Sequence, residues 1–131
     1  MRRLLFIIFF FNFSIAYSQK DQGCANPMNV KLLIKGMNSH DTLITMKQLL
    51  TAEEVFVENS RIQILSFTAG LHDNNGEIDE FSVIGTKFSE NNKKQFSKLR
   101  FQSLIYFDNI KAKNQQGFIV CLKPVLYRIV E

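Results

Sequence analysis

The stretch Leu104-Ile105-Tyr106-Phe107-Asp108-Asn109-Ile110-Lys111-Ala112-Lys113 decides the fold of this chain, together with the later run Phe118-Ile119-Val120-Cys121-Leu122. Both runs are rich in β-branched and aromatic residues, which suit a pleated, half-buried surface. The polar segment between them ends in Gly117, and a glycine there supplies the positive φ that closes a tight connection. We therefore predict two antiparallel strands joined by a short turn.

The two halves of the first run differ in pattern. Ile110 and Ala112 alternate with Lys111 and Lys113, which predicts one buried and one wet face. Residues 104–107 are apolar at every position, so we expect this half to be buried on both faces.

Further short strands are predicted around this hairpin, at about residues 30–34, 55–58, 61–71, 81–87 and 125–129. In the third of these, Leu65 and Phe67 are expected on the same face. Thr45 and Gln48 have the spacing of a capping box, which predicts a helix over 46–51. Ser89 is suited to cap a second helix over 90–100. This set of elements predicts a mainly β protein, a β-sandwich with two short helices.

The N-terminus has the features of a secretory signal peptide. Two arginines precede an almost wholly apolar run, and Ala16-Tyr17-Ser18 places small residues before a cut at Gln19. We predict a signal peptide at 1–18, an irregular lead at 19–29 and one domain at 30–131, in a periplasmic or secreted protein. An uncleaved N-terminal anchor is the alternative.

Cys24 and Cys121 are the two cysteines of the chain. An oxidising compartment would permit a disulfide between them. The alternative is that Cys121 is a small core residue and Cys24 a loose thiol, since sequence gives no distance between them. A catalytic thiol is disfavoured, because no histidine is nearby in sequence and the apolar run would raise the pKa of Cys121.

Charge is segregated along the chain. Residues 41–86 contain two basic and eight acidic residues, whereas residues 87–131 contain nine basic and three acidic residues. If the fold separates them, the resulting dipole would orient a protein partner or a second copy. Ordinary solvated charge is the alternative. Nucleic acid is disfavoured as a partner, because no basic motif with interleaved aromatic residues occurs.

Residues with catalytic or metal-binding side chains form no array with a recognisable spacing. The segment 73–80 has oxygen donors at alternate positions, which could suit Ca²⁺, but an Asn-Gly turn explains the same residues. His40 and His72 each precede an aspartate in a predicted turn, without zinc spacing. We expect no cofactor, no metal and no catalytic residue, and therefore a protein that is not an enzyme.

Several segments in order resemble the C-terminal domain of the GldM/PorM family, periplasmic components of type IX secretion and gliding motility. Residues 44–50 are similar to the family's ISKxEL segment, and residues 64–68 to its VxSFxV segment. Residues 105–113 match the most specific run, an aromatic pair followed by Asp or Glu and Asn-Ile-Lys-Ala-Lys. The matching residues are Phe67, Gly85, Tyr106, Phe107, Asn109, Ile110, Gly117 and Tyr127.

The resemblance implies an immunoglobulin-like antiparallel β-sandwich that makes protein contacts in the cell envelope. The chain departs from the family at Phe101-Gln102, where the family has Pro-Gly, and in the turn 114–117. We also expect it to differ from members at its start, with a predicted signal peptide where they have a membrane helix and upstream domains. We therefore expect a secreted, non-enzymatic protein-interaction module, accessory to the type IX machinery. The alternative is a small carbohydrate- or calcium-binding β-domain.

Overall fold

The structure, a computed structural model, describes residues 26–131, so the predicted signal peptide, most of the lead and Cys24 lie outside the described residues. Eight strands and two helices follow one another in this part of the chain. They are β1 Leu33–Ile34, β2 Leu43–Thr45, α1 Met46–Thr51, β3 Val55–Phe56, β4 Gln63–His72, β5 Ile78–Ile84, α2 Glu90–Ser97, β6 Leu104–Lys113, β7 Ile119–Leu122 and β8 Val125–Val130.

Both helices begin at the caps expected from sequence. At α1, the Thr45 hydroxyl accepts from the Gln48 backbone N–H at 3.1 Å, and the Gln48 side chain accepts from the Thr45 N–H at 2.9 Å. Ser89 and Asn92 make the same reciprocal pair at α2. Each box satisfies two N–H groups that a helix start would otherwise leave without partners. Helix α2 ends at Ser97, three residues before the predicted end.

Strand β6 lies at the centre of a six-stranded sheet. Strand β4 runs along one side of it, while on the other side β8 pairs with residues 104–107 and β7 with residues 110–113. Strand β2 extends the sheet beyond β8 in a parallel pairing, and β5 extends it beyond β4. Strands β1 and β3 form a separate two-stranded sheet. The predicted mainly β sandwich with two short helices is confirmed, and its larger sheet is mixed because β2 and β8 are parallel.

A bulge at Asn109 changes which residues of β6 face the core. Ile105 and Phe107 are buried before it, and Ile110 and Ala112 after it, so the inward positions are three residues apart at this point. Asn109 has a positive φ of 49°, and its N–H donates to the Asp108 side chain at 2.7 Å. An extra residue in one strand has this effect because side chains alternate strictly with a period of two.

A second bulge, in β4, restores the register. Ile64 pairs with Ala112 and Ser66 with Lys111, so two residues of β4 correspond to one of β6 at Leu65. Ile64 rather than Leu65 therefore lies on the buried face with Phe67, and the predicted placement of Leu65 is wrong.

The core contains a continuous group of aromatic rings. Phe67 meets Phe107 edge-on at 5.5 Å and Phe88 at 6.2 Å between ring centroids. Phe88 in turn meets Phe96 of α2 at 5.1 Å. Tyr127 of β8 extends the group from Phe107 at 6.2 Å. These rings join the inner face of the large sheet to helix α2, and such pairs add to the stabilisation that burial provides.

The outer face of β6 is less covered than expected. Leu104 and Tyr106 are only half-buried, and the outward residues Leu43, Ile78 and Leu126 of other strands of the sheet are exposed. The expectation that residues 104–107 are buried on both faces is therefore wrong for the outer face.

Ile110→Asp should abolish folding. The Ile110 side chain is wholly buried, and an unpaired carboxylate there costs several kcal/mol against a total stability of about 5–15 kcal/mol. Circular dichroism and thermal unfolding measure the effect. Lys111→Asp is the matched control, because Lys111 is exposed on the opposite face and this variant should fold normally. A soluble, cooperatively unfolding Ile110→Asp protein would disprove the register.

Candidate functional site

The structure does not bring the residues of the family resemblance together at one site. Phe67, Phe107, Ile110 and Tyr127 are all buried in the core. Gly85 ends β5 and Gly117 closes the β6–β7 turn, each with a φ of 87° that L side chains rarely adopt. Only Tyr106 and Asn109 have accessible surface beyond the turns. Most of these residues therefore build the fold.

Cys121 is disulfide-bonded and nearly buried in β7. The chain's other cysteine, Cys24, lies outside the described residues. The Met28 N–H donates to the Cys121 carbonyl at 2.7 Å, so the lead runs beside the strand that carries Cys121. A disulfide excludes a catalytic thiol at this position, because the thiolate is the reactive form.

Tyr127 is a buried phenol in the core. Its hydroxyl has no hydrogen-bond partner of normal geometry among residues 26–131, although the backbone of Ile34 is close enough to affect its pKa. Burial raises the pKa of Tyr127 above its ordinary value of 10, because the phenolate would lose its hydration. Tyr127 is therefore a neutral core residue at neutral pH.

The acidic segment 73–80 is an ordinary hairpin turn. One Asp73 carboxylate oxygen accepts from the N–H groups of Asn75 and Glu77, both at 2.9 Å, and Gly76 has a φ of 87°. The backbone itself uses this oxygen, as is typical of aspartate in turns. In the described part of the chain, no group of three or more His, Cys, Asp or Glu residues is placed to hold a metal ion.

A surface hollow of about 400 Å³ lies beside β3 and the start of β4. Its carboxylate, Glu54, accepts from the Lys35 ammonium at 3.3 Å and the Thr86 hydroxyl at 3.2 Å. These two hydrogen bonds, that of Lys35 first, lower the pKa of Glu54. Glu54 therefore stays ionised and paired, which is unsuited to a general acid near neutral pH.

The outer face of the large sheet is the best candidate for a functional surface. Cross-strand pairing places Ile78 beside His72, His72 beside Leu104, Leu104 beside Arg128, and Arg128 beside Leu43. In the next row, Tyr106 lies beside Leu126. We call the apolar members of these rows the outer patch: Leu43, Ile78, Leu104, Tyr106 and Leu126.

Much of the outer patch is accessible to solvent. Leu43 and Leu126 are each 52% exposed, and Ile78 is 60% exposed. The five residues come from four strands, β2, β5, β6 and β8, so the patch crosses the sheet from β2 to β5. Exposed apolar residues clustered on one sheet face, here with Arg128 and His72 between them, are typical of an interaction site.

Tyr106 is held flat across the sheet at the centre of the outer patch. Its ring lies over Gly70 of β4, where a Cβ atom would overlap the ring. Its hydroxyl donates to a Glu80 carboxylate oxygen at 3.2 Å. Gly70 thus provides the space and Glu80 the anchor that orient an aromatic ring on an open sheet face.

Sequence reasoning identified Tyr106 but missed the other members of the outer patch as surface residues. One signal was present: Leu126 is an apolar residue at an outward position of the alternating run 125–129. The contacts of Gly70 and Leu43 depend on pairings between distant segments, which no local pattern contains.

The chain matches no family model, and it matches no curated protein. The resemblance to the GldM/PorM C-terminal domain therefore stays a prediction. In residues 26–131, no helix is both long enough and apolar enough to span a membrane.

Gly70→Ala should lower the free energy of unfolding by about 1–3 kcal/mol, because the new methyl group displaces the Tyr106 ring. In a protein that already carries Tyr106→Ala, the loss of unfolding free energy caused by Gly70→Ala should be smaller by at least ~1 kcal/mol. Denaturant unfolding of the four proteins measures this coupling. Ser66→Ala, further along β4, is the control and should be additive with Tyr106→Ala. Additivity of Gly70→Ala with Tyr106→Ala would contradict the stacked arrangement.

Tyr127→Phe should reduce the loss of stability above pH 10. The pKa of Tyr127 is raised in the folded protein. The stabilisation that comes from keeping this tyrosine protonated is therefore complete below about pH 10, the pKa of a tyrosine in the unfolded chain. It falls as the pH rises further, since only the unfolded chain then loses the proton. At pH 7 the variant should be as stable as the original or up to ~1 kcal/mol more stable, because the lost hydroxyl has no hydrogen-bond partner among residues 26–131. Thermal melts from pH 7 to 11 test this, and identical pH profiles would contradict it.

Proposed function

We propose that this chain is a secreted, non-enzymatic protein-interaction module that binds a protein of the cell envelope through the outer patch. The observation that carries the proposal is the group of exposed apolar residues on four strands of one sheet face. Single exposed apolar residues are normal on a monomer, whereas several of them grouped on one sheet face indicate a surface that another molecule covers.

The composition of the outer patch supports a protein as the ligand. Tyr106 and the neighbouring Arg128 belong to the residue types that most often dominate binding energy at protein interfaces. Polar and charged groups lie among the apolar residues, with His72 between Leu104 and Ile78 and Glu80 bonded to the Tyr106 hydroxyl. Such a mixture of apolar and polar groups is usual at protein–protein interfaces.

The rigidity of the surface is a second support. The outer patch lies on paired strands, with Tyr106 fixed between Gly70 and Glu80. A preorganised aromatic anchor loses little conformational entropy on binding, so more of its contact energy becomes affinity.

We further propose that the partner belongs to the type IX secretion and gliding machinery, to which this chain is accessory. The support is the sequence resemblance of residues 44–130 to the GldM/PorM C-terminal domain, with the predicted signal peptide. No cofactor and no metal enter this function. The alternative of calcium or carbohydrate binding gains no support from the turn 73–80, whose Asp73 side chain is bound to its own backbone.

Site-specific cross-linking in cells tests the proposal. A photoreactive amino acid replaces Leu126, in the outer patch, in a tagged chain expressed at native level. The same amino acid at Phe118, which is 68% exposed in the β6–β7 turn, is the matched control. We expect type IX ring or motor proteins in the products from position 126, at least tenfold enriched over position 118.

Two results would count against the proposal. If positions 126 and 118 give the same cross-linked products in equal amounts, the outer patch is not the binding surface. Envelope proteins unrelated to type IX secretion at position 126 would keep the interaction module and remove its assignment to that machinery.

A further inference from the structure

In the part of the chain that the structure describes, the outer edge of β5 is not paired with another strand. Strand β5 is last in the sheet order, and it pairs with β4 over seven consecutive residues without a bulge. Within residues 26–131 nothing pairs with its other side. An edge of this length, about 20 Å, presents a row of free N–H and C=O groups to another strand.

The free backbone groups belong to the even-numbered residues of β5. At its two ends, the Gly85 N–H donates to the Leu65 carbonyl at 2.7 Å, and the Glu77 carbonyl accepts from Asp73 at 3.0 Å. Odd-numbered residues therefore direct their backbone groups toward β4. Because the direction alternates along a strand, residues 78, 80, 82 and 84 direct theirs to the open edge.

The side chains at this edge are complementary to a second copy of the same strand. Ile78 and Ile84 lie at the two ends, each three residues from Phe81, and are 60% and 94% exposed. If β5 of a second copy pairs antiparallel with β5 and the two Phe81 residues lie opposite each other, then Ile78 of one copy lies opposite Ile84 of the other. All opposed even-numbered residues then exchange both backbone hydrogen bonds, since their free groups face each other.

The charges favour the same antiparallel arrangement. Asp79 and Glu80 occupy one end of β5, the other end is uncharged, and Lys87 follows it. Antiparallel pairing would place the acidic end of each strand beside the uncharged end of the other. Parallel pairing would instead bring the acidic residues of the two copies together, which is unfavourable.

We infer that two copies of this chain pair β5 with β5 across a two-fold axis and form one continuous sheet. Such an interface is closed, because the same edge of each copy is used and no edge of β5 remains. The inference goes beyond the proposed envelope partner and does not depend on it. It also joins the outer patches of the two copies, since Ile78 lies at the border of each.

The mass of the purified protein in solution, measured over a range of concentrations by light scattering and sedimentation, tests the inference. The unmodified chain should reach twice the monomer mass as concentration rises. Ile84→Lys should weaken dimerisation at least tenfold, because it places a charge against Ile78 of the second copy. Its fold should be unchanged, since the side chain is almost wholly exposed. Leu126→Lys, on the same sheet face but in a central strand, is the control and should dimerise normally.

A cross-linking experiment tests the register separately. Glu80→Cys and Ser82→Cys proteins are mixed and treated with a short bis-maleimide, and we expect a product that contains one chain of each. A mixture of Glu80→Cys with Leu126→Cys should give no such product. A protein that stays monomeric at all concentrations would overturn the inference. Equal dimerisation of Ile84→Lys, or a monomer that binds an unrelated extended peptide along β5, would also overturn it.

Discussion

The structure depends on a bulge in the central strand, which changes the set of alternate residues that faces the core. Strand β6 must bury Ile105 and Phe107 against one part of the core and Ile110 and Ala112 against the next, and an unbroken strand would turn one pair outward. The bulge at Asn109 resolves this conflict. The bulge lies between the part of β6 that pairs with β8 and the part that pairs with β7. The inward-facing residues and the neighbouring strand therefore change at the same point.

Local patterns in the sequence predicted most of the elements but not all of their contacts. The caps at Thr45 and Ser89 and the turn before Gly117 depend on neighbours within a few residues, and each has the predicted conformation. The error at Leu65 has a physical cause. Its apolar side chain fits an inward position equally well, and only the pairing of β4 with the bulged β6 excludes it.

The candidate surface was less predictable than the fold for the same reason. A buried position is marked by its own apolar side chain, whereas a surface is defined by residues from several strands that meet only after folding. Tyr106 was identified from its sequence context, but its role depends on Gly70, 36 residues earlier, whose missing side chain makes room for the ring. The parallel pairing of β2 with β8, which brings Leu43 into the outer patch, is similarly non-local.

The three edge strands of the large sheet, β7, β2 and β5, differ in how well they are protected from pairing with another chain. Strand β7 is shielded by the lead, through the bond from Met28 to Cys121, and β2 is only three residues long. Natural sheets commonly protect their edges by such cover and shortness. In residues 26–131, strand β5 has neither device, and its charges protect only one end. An edge that is long, regular and half uncharged is costly to leave open, because it invites pairing with any extended chain. Because the other two edge strands are protected, the open edge of β5 is most simply explained if a specific strand pairs with it.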